Sequence, residues 1–294
     1  MTLREFTEEL KTRIEEIVSD DTIVKVDEVM KNNSVKLLAL SIRRKDEALA
    51  PTIYTEEYFN HYNDGEISME EIVNSVLKIY STYASGPNLN FDFDRFEDYE
   101  TMRDSIIFRL VNYDRNRELL EDVPHRRYMD LAVIYCCLLK DFENGTGATT
   151  VVKKAIMEQW GVTEEELYRT AIKNSPDLLK VRITPMNEML SYSPECFTGP
   201  EMFVFSNEEM VNGASCLLYP GVLKTFANNI HSDLIILPSS VHELILIPGS
   251  QIEDVKGLSG LVRQVNESEV EEKEILSNNV YKYSLEGDRV EMVV

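Results

Sequence analysis

Two aliphatic runs, LIIL at 234–237 and LILI at 244–247, flank Pro238-Ser239-Ser240, and they constrain the fold more than any other feature. Each is too short for an ordinary helix and offers no polar position to turn toward water. Both are therefore predicted as strands covered on both faces, Leu234 to Leu237 and Val241 to Ile247, with the turn hydroxyls bonding backbone groups. Structure must pack against both sides of such a hairpin.

His242 and Glu243 follow the turn directly, which raises the question of a hydrolase corner. With 241–247 extended, His242 and Glu243 project to opposite faces and cannot form a dyad, whereas Ser240 and His242 share a face. Nothing at that spacing orients the second imidazole nitrogen, the third role a triad needs. A supporting turn is the expectation.

The surrounding segments predict a strand at Met202 to Phe205, a turn at Asn212-Gly213, a strand at Ala214 to Leu218 and a helix opening at Pro220. Val222, Leu223, Phe226 and Ile230 mark that helix's inner face. With the two aliphatic strands this makes a strand-strand-helix-strand-strand unit, a helix laid on an antiparallel sheet. A charged connector, ESEVEEKE at 267–274, and a hairpin of Tyr281 to Leu285 with Val290 to Val294 close the chain.

Upstream, Thr2 and Glu5 are spaced as a capping box, and Leu3, Phe6, Leu10, Ile14 and Ile17 recur at helical steps, so a helix is expected over 3–18. Ile23 to Met30 and Val35 to Ile42 predict a hairpin. Residues 52–85 are read as two helical pieces broken at Asn63-Asp64-Gly65. Strands are expected at Ser105 to Val111, Tyr128 to Leu139 and Ala148 to Val152, and a helix from Thr163 that stops at Pro176. The fold class is α+β, with mixed or antiparallel sheets and packed helices. Prolines 176, 185, 194 and 200 suggest a boundary, giving an N-terminal α+β region at 1–185 and a C-terminal one at 186–294, with one continuous domain as the alternative.

Charge narrows the function classes. Against 52 Asp and Glu stand 30 Lys and Arg, a formal net charge of -22 that repels phosphate backbones and anionic lipid. Direct nucleic-acid and membrane binding are disfavoured. The longest apolar run, LAVIYCCLL at 131–139, is less than half the roughly 20 residues a bilayer span needs. MTLREFTEELKTRIEE is charged and helix-periodic from its start, so no leader is expected and the cytoplasm is the expected compartment. Four cysteines, two adjacent as Cys136-Cys137, match no disulfide or zinc spacing. No metal and no cofactor is expected.

Several motifs invite chemistry and fail on inspection. Asn212-Gly213-Ala214-Ser215-Cys216 offers two nucleophiles that His231 or His242 could serve, but a nucleophile elbow needs glycine where Leu217 stands. Asp92, Asp94, Glu97 and Asp98 lack the EF-hand glycine and glutamate, and read as an acidic loop pinned by Phe91, Phe93 and Phe96. Gly145-Thr146-Gly147 lacks the third glycine of a dinucleotide fingerprint. His125-Arg126-Arg127 is the one compact basic cluster, able to hold a phosphate or carboxylate, with a solvated strand entrance as the plainer reading.

Three segments, TIYTEEYFNHYNDGE at 52–66, WGVTEEELYRTAIKNSP at 160–176 and NGASCLLYPGVLKTFANNIHSDLIILPSSVHELILIP at 212–248, resemble an uncharacterised family of anaerobic Gram-positive gut bacteria. WGVTEEEL is more distantly similar to the uncharacterised YtpQ-type family. The resemblance implies a bacterial cytoplasmic protein, carried on mobile elements, and supplies no activity or catalytic residue. The leading expectation is a non-enzymatic interaction or regulatory protein that offers an acidic surface to a protein partner. The alternative is a hydrolase or transferase using Ser215 or Cys216 with His242 or His231, Ser240 being a further candidate. The second alternative is an acidic decoy for a nucleic-acid-binding protein.

Overall fold

A computed structural model describes residues 1–45, 51–85, 96–140, 148–189, 199–238 and 240–293. Two compact units emerge: unit 1 comprises Met1–Lys31 and Val35–Phe93, and unit 2 comprises Asn32–Ser34 and Asp94–Val294. The division therefore lies at 93/94. The strands on either side of 185/186, Val181–Pro185 and Phe203–Asn207, pair along their length within unit 2.

Unit 1 begins with α1 (Leu3–Glu15), where the Thr2 hydroxyl accepts the Glu5 N–H and the Glu5 carboxylate accepts the Thr2 N–H. That reciprocal cap satisfies two donors at the helix start. Phe6, Leu10 and Ile14, four residues apart, are wholly buried. Helix α1 packs on β1 (Thr22–Met30) and β2 (Lys36–Arg44), which β3 (Thr52–Tyr54) extends into a three-stranded antiparallel sheet. The helix ends two residues before Ile17, which is 61% exposed rather than part of the apolar stripe. α2 (Glu56–Asn63) and α3 (Met69–Ser85) follow, with Ser68 and Glu71 capping α3 as their spacing predicts.

Unit 2 holds α4 (Tyr99–Met102), β4 (Ile106–Asn112), α5 (Arg117–Asp122), β5 (His125–Tyr128), β6 (Leu131–Lys140) and β7 (Ala148–Val151). Next come α6 (Lys154–Trp160), α7 (Glu164–Leu178), β8 (Val181–Pro185), α8 (Met186–Met189) and β9 (Phe203–Asn207). The chain closes with α9 (Val222–Ile230), β10 (Leu234–Leu237), β11 (Leu244–Pro248), α10 (Val255–Ser268), β12 (Tyr281–Ser284) and β13 (Arg289–Met292). β6 is the central strand of a four-stranded antiparallel sheet, with β4 along one side and β5 and β7 along the other. That position explains its unbroken apolar run. Its adjacent cysteines point to opposite faces, Cys137 into the main core and Cys136 into a smaller cluster with Ile107 and Leu179.

The second sheet is six-stranded and antiparallel, in the order β13-β12-β10-β11-β9-β8. Leu234, Ile236, Leu244 and Leu246 face the main core, while Ile235 and Ile247 pack with Val262 of α10 on the other side. Both faces of the aliphatic pair are thus covered. Of the expected strand-strand-helix-strand-strand unit, β9, α9, β10 and β11 are present in order, and β8, separated from β9 by the short α8, supplies a further strand of the same sheet. Gly213–Leu218, expected as the unit's second strand over 214–218, is a 3-10 helix. Helix α7 also continues past Pro176 to Leu178, so the proline lies inside its last turn and the helix ends two residues after it.

Candidate functional site

β11 starts at Leu244, so 241–243 are not strand, and the polar corner is built differently from the pleated expectation. The connection after β10 reaches sideways to the segment before β12. Pro238 O accepts the Ser277 N–H at 3.1 Å, Ser240 forms a β-bridge with Ile275, and the Val241 N–H donates to Glu274 O at 2.8 Å. Val241 O in turn accepts the Ala214 N–H, which opens the 3-10 helix. Competing backbone partners on two sides hold this stretch out of the ladder.

Within that frame the Ser240 hydroxyl accepts the N–H of His242 at 2.8 Å, a local turn bond. His242 O accepts the Ser206 hydroxyl at 2.7 Å, and its Nδ1 accepts the Asn212 N–H at 3.3 Å. An Nδ1 acting as acceptor places the ring proton on Nε2, which lies 3.9 Å from Glu274 Oε1. The imidazole is 31% exposed and Glu274 35%. A carboxylate therefore does stand behind the second nitrogen, supplied by a residue 32 positions away that no local pattern indicates.

The nucleophiles are elsewhere engaged. Ser215 is buried, and its oxygen accepts the Leu110 N–H at 3.1 Å. Ser175 serves the Phe108 N–H in the same way at 3.2 Å. Leu110 and Phe108 lie on β4, an end strand, so two serines close the outward amides of that edge. Removing the Ser215 oxygen strands the Leu110 amide, so Ser215→Ala is expected to cost about 1–2 kcal/mol in urea unfolding.

Cys216 is 1% exposed, and burial pushes its thiol up to about 12, far from the thiolate a nucleophile needs. Burial likewise raises Cys137 to about 12 and shifts Cys136 upward. His231 caps the far end of α9 in a left-handed conformation, φ 53°. A helix of nine residues, about 14 Å long, separates it from the 3-10 turn that carries Ser215 and Cys216. His231 instead borders a cavity of about 460 Å³ with Asp233, Ser250 and Lys282. Asp233 accepts from Lys282 at 2.8 Å and from the Leu285 N–H, which hold its carboxyl below the usual range. A carboxyl lowered by folding stabilises above its unfolded pKa and loses that contribution as pH falls through the folded value. Asp233→Asn should therefore flatten the acid limb of a thermal-stability profile below about pH 4.

The basic cluster divides along its strand. Arg126 donates to Glu164 and Glu165 and covers the Tyr168 ring at 4.0 Å. Arg127 lies over Tyr113 at 4.6 Å, and His125 Nδ1 bonds Val123 O. Asp98 caps α4, and Phe96 packs edge-on to Trp160 at 5.8 Å. Asp92, Asp94, Phe91, Phe93, Gly145, Thr146, Gly147, Cys196 and Ser239 lie outside the described residues. Among the described residues no three His, Cys, Asp or Glu side chains converge as metal ligands would, and no helix is long and apolar enough to cross a membrane.

A second polar centre had no sequence signal. Asp130 accepts the Ser277 hydroxyl at 2.6 Å, the Asn279 side-chain amide at 2.8 Å and the Tyr281 hydroxyl at 2.6 Å. Burial, with Asp130 beside it, pushes the Tyr281 phenol up, so the phenol is a fixed donor. This carboxylate ties the turn between β5 and β6 to β12.

A family model matches residues 3–285, a span that takes in both units. The chain belongs to the family of unknown function DUF5688. No curated protein and no solved structure matches it. Membership in DUF5688 accords with the expected likeness to an uncharacterised family, and it brings no assigned chemistry to the residues above.

Proposed function

We propose that this chain is a non-enzymatic interaction or regulatory protein of the bacterial cytoplasm that presents an acidic surface to a protein partner. One observation carries it: Ser215, Cys216 and Ser240 face inward, the two serine hydroxyls accepting backbone amides and the thiol buried and protonated. Side chains used in this way build the scaffold. The net charge of -22 leaves a surface suited to basic protein partners and adverse to phosphate and anionic lipid. Kinship with the YtpQ-type family of Gram-positive bacteria belongs to the same proposal.

The alternative, a hydrolase or transferase, draws on the half-open His242 with Glu274 behind it. It lacks a nucleophile, because the two hydroxyls bonded to His242 meet its backbone: Ser240 takes its N–H and Ser206 donates to its O. An acidic decoy for a nucleic-acid-binding protein draws only on charge. The test is fluorophosphonate and iodoacetamide labelling of the native chain, mapped peptide by peptide. The expected result is negligible labelling of Ser215, Cys216 and Ser240 until denaturant is added. Fast native labelling of any of them that His242→Ala abolishes would establish the enzyme instead.

A further inference from the structure

β8 ends one side of the six-stranded sheet, and no described strand pairs with its outer edge. The bonds from Glu208 N–H to Lys180 O and from Met186 N–H to Met202 O, both 2.9 Å, set its register against β9. In that register the backbone groups of Arg182 and Thr184 face β9, and those of Val181 and Ile183 face the open edge. Pro185, with no N–H, closes the available stretch.

Two further properties lie in step with this edge. The side chains of Val181 and Ile183, with Pro220, Val222 and Phe226, line an open cavity of about 360 Å³ beside α9. On the opposite face of the strand Lys180 and Arg182 are exposed. Arg182 Nε donates to Thr184 Oγ1 at 3.1 Å, and among the described residues neither cation has a carboxylate within 4.0 Å. Glu208 stands directly cross-strand from Lys180 in this register without an ion pair, so the unpaired positive charge on this face centres on Arg182. On β13, the other end of the sheet, Arg289 and Glu291 neutralise each other at 2.6 Å.

We propose that the β8 edge is a docking site for an extended segment of a partner protein that adds a seventh strand to the sheet. Such a segment alternates apolar side chains, which enter the cavity beside α9, with acidic ones, which face Lys180 and Arg182. Backbone bonds to Val181 and Ile183 supply affinity, and the alternation supplies selection. This inference goes beyond the acidic-surface reading above, because the segment it admits is itself acidic; it shares with that reading only the role of a partner-binding protein.

The experiment is fluorescence anisotropy on the full chain with three kinds of labelled six-residue probe. One alternates valine with glutamate, one alternates valine with lysine, and two carry N-methyl groups on one or the other alternate set of amides of the acidic probe. The acidic probe should bind saturably, and methylation of the set facing β8 should weaken it at least about tenfold while the other set does little. Arg182→Glu, an exposed change, should weaken the acidic probe about fivefold and favour the lysine probe. Equal binding of the acidic and lysine probes, equal effects of the two methylation sets, or no saturable binding would overturn the docking site. Self-association in sedimentation velocity that Arg182→Glu abolishes would make a second copy the occupant and overturn the partner segment. A partner that binds wild type and Arg182→Glu alike would remove this site and leave the interaction function intact, whereas native nucleophile labelling would remove that function.

Discussion

Replacing Gly213 with alanine is expected to remove about 3 kcal/mol from the stability of unit 2, a large share of the roughly 5–15 kcal/mol that holds a domain folded. A Cβ at this position would stand 1.9 Å from Ser206 Oγ, 2.5 Å from His242 O and 2.8 Å from the Asn207 N. The serine could rotate, at the loss of its 2.7 Å bond to His242 O. The other two atoms are backbone and cannot. His242 O sits in the connection held by Val241 on both sides, and Asn207 belongs to β9, paired with Val181 of β8. Relief would require the 3-10 helix to move off the sheet, and with it the Ser215 hydroxyl that serves Leu110. Urea unfolding followed by circular dichroism measures the loss. Gly260→Ala is the matched control: that glycine lies within α10 with nothing inside 4 Å of its added Cβ, so helix propensity should raise stability by about 0.5–1 kcal/mol. A Gly213→Ala protein as stable as wild type would mean that the packing around 213 differs from that described.

Local signals were legible and distant ones were not. The Thr2–Glu5, Ser68–Glu71 and Thr163–Glu166 caps each join residues three apart, and all three are formed. The aliphatic runs at 234–237 and 244–247 are strands buried on both faces because no helix-length pattern competes with them. Ala214 to Leu218 is short and apolar too, but there the Asn212-Gly213 turn, with Asn212 at φ 51°, starts a 3-10 helix rather than a strand. Periodicity cannot separate those outcomes over five residues. The extension of strand back to Val241 failed for a reason outside its own sequence, since Glu274 and Ala214 claim the backbone groups of that residue. The carboxylate 3.9 Å from His242 Nε2 was hidden in the same way. Glu274 stands in the acidic run ESEVEEKE, where composition marks every glutamate as solvated surface.

Asp130 carries this lesson across a longer stretch of chain and yields the second expected result. Its three donors lie 147, 149 and 151 residues away, and of the donor residues Ser277 and Tyr281 are 1% and 0% exposed. Asp130→Ala leaves those donors facing a void with no acceptor, and the expected cost is about 3 kcal/mol in urea unfolding. Tyr281→Phe removes one donor and leaves the carboxylate two, so about 1.5 kcal/mol should suffice. In the double variant the phenol has no bond left to lose, and the combined cost should fall short of the sum by at least about 1 kcal/mol. Strict additivity would show that the Tyr281 hydroxyl is not bound to Asp130 in solution. The labelling experiment separates this centre from the polar corner as well. If Asp130 is a tie between the β5–β6 turn and β12, its loss should expose Cys137 to iodoacetamide through unfolding of unit 2, in step with the urea midpoint and not ahead of it.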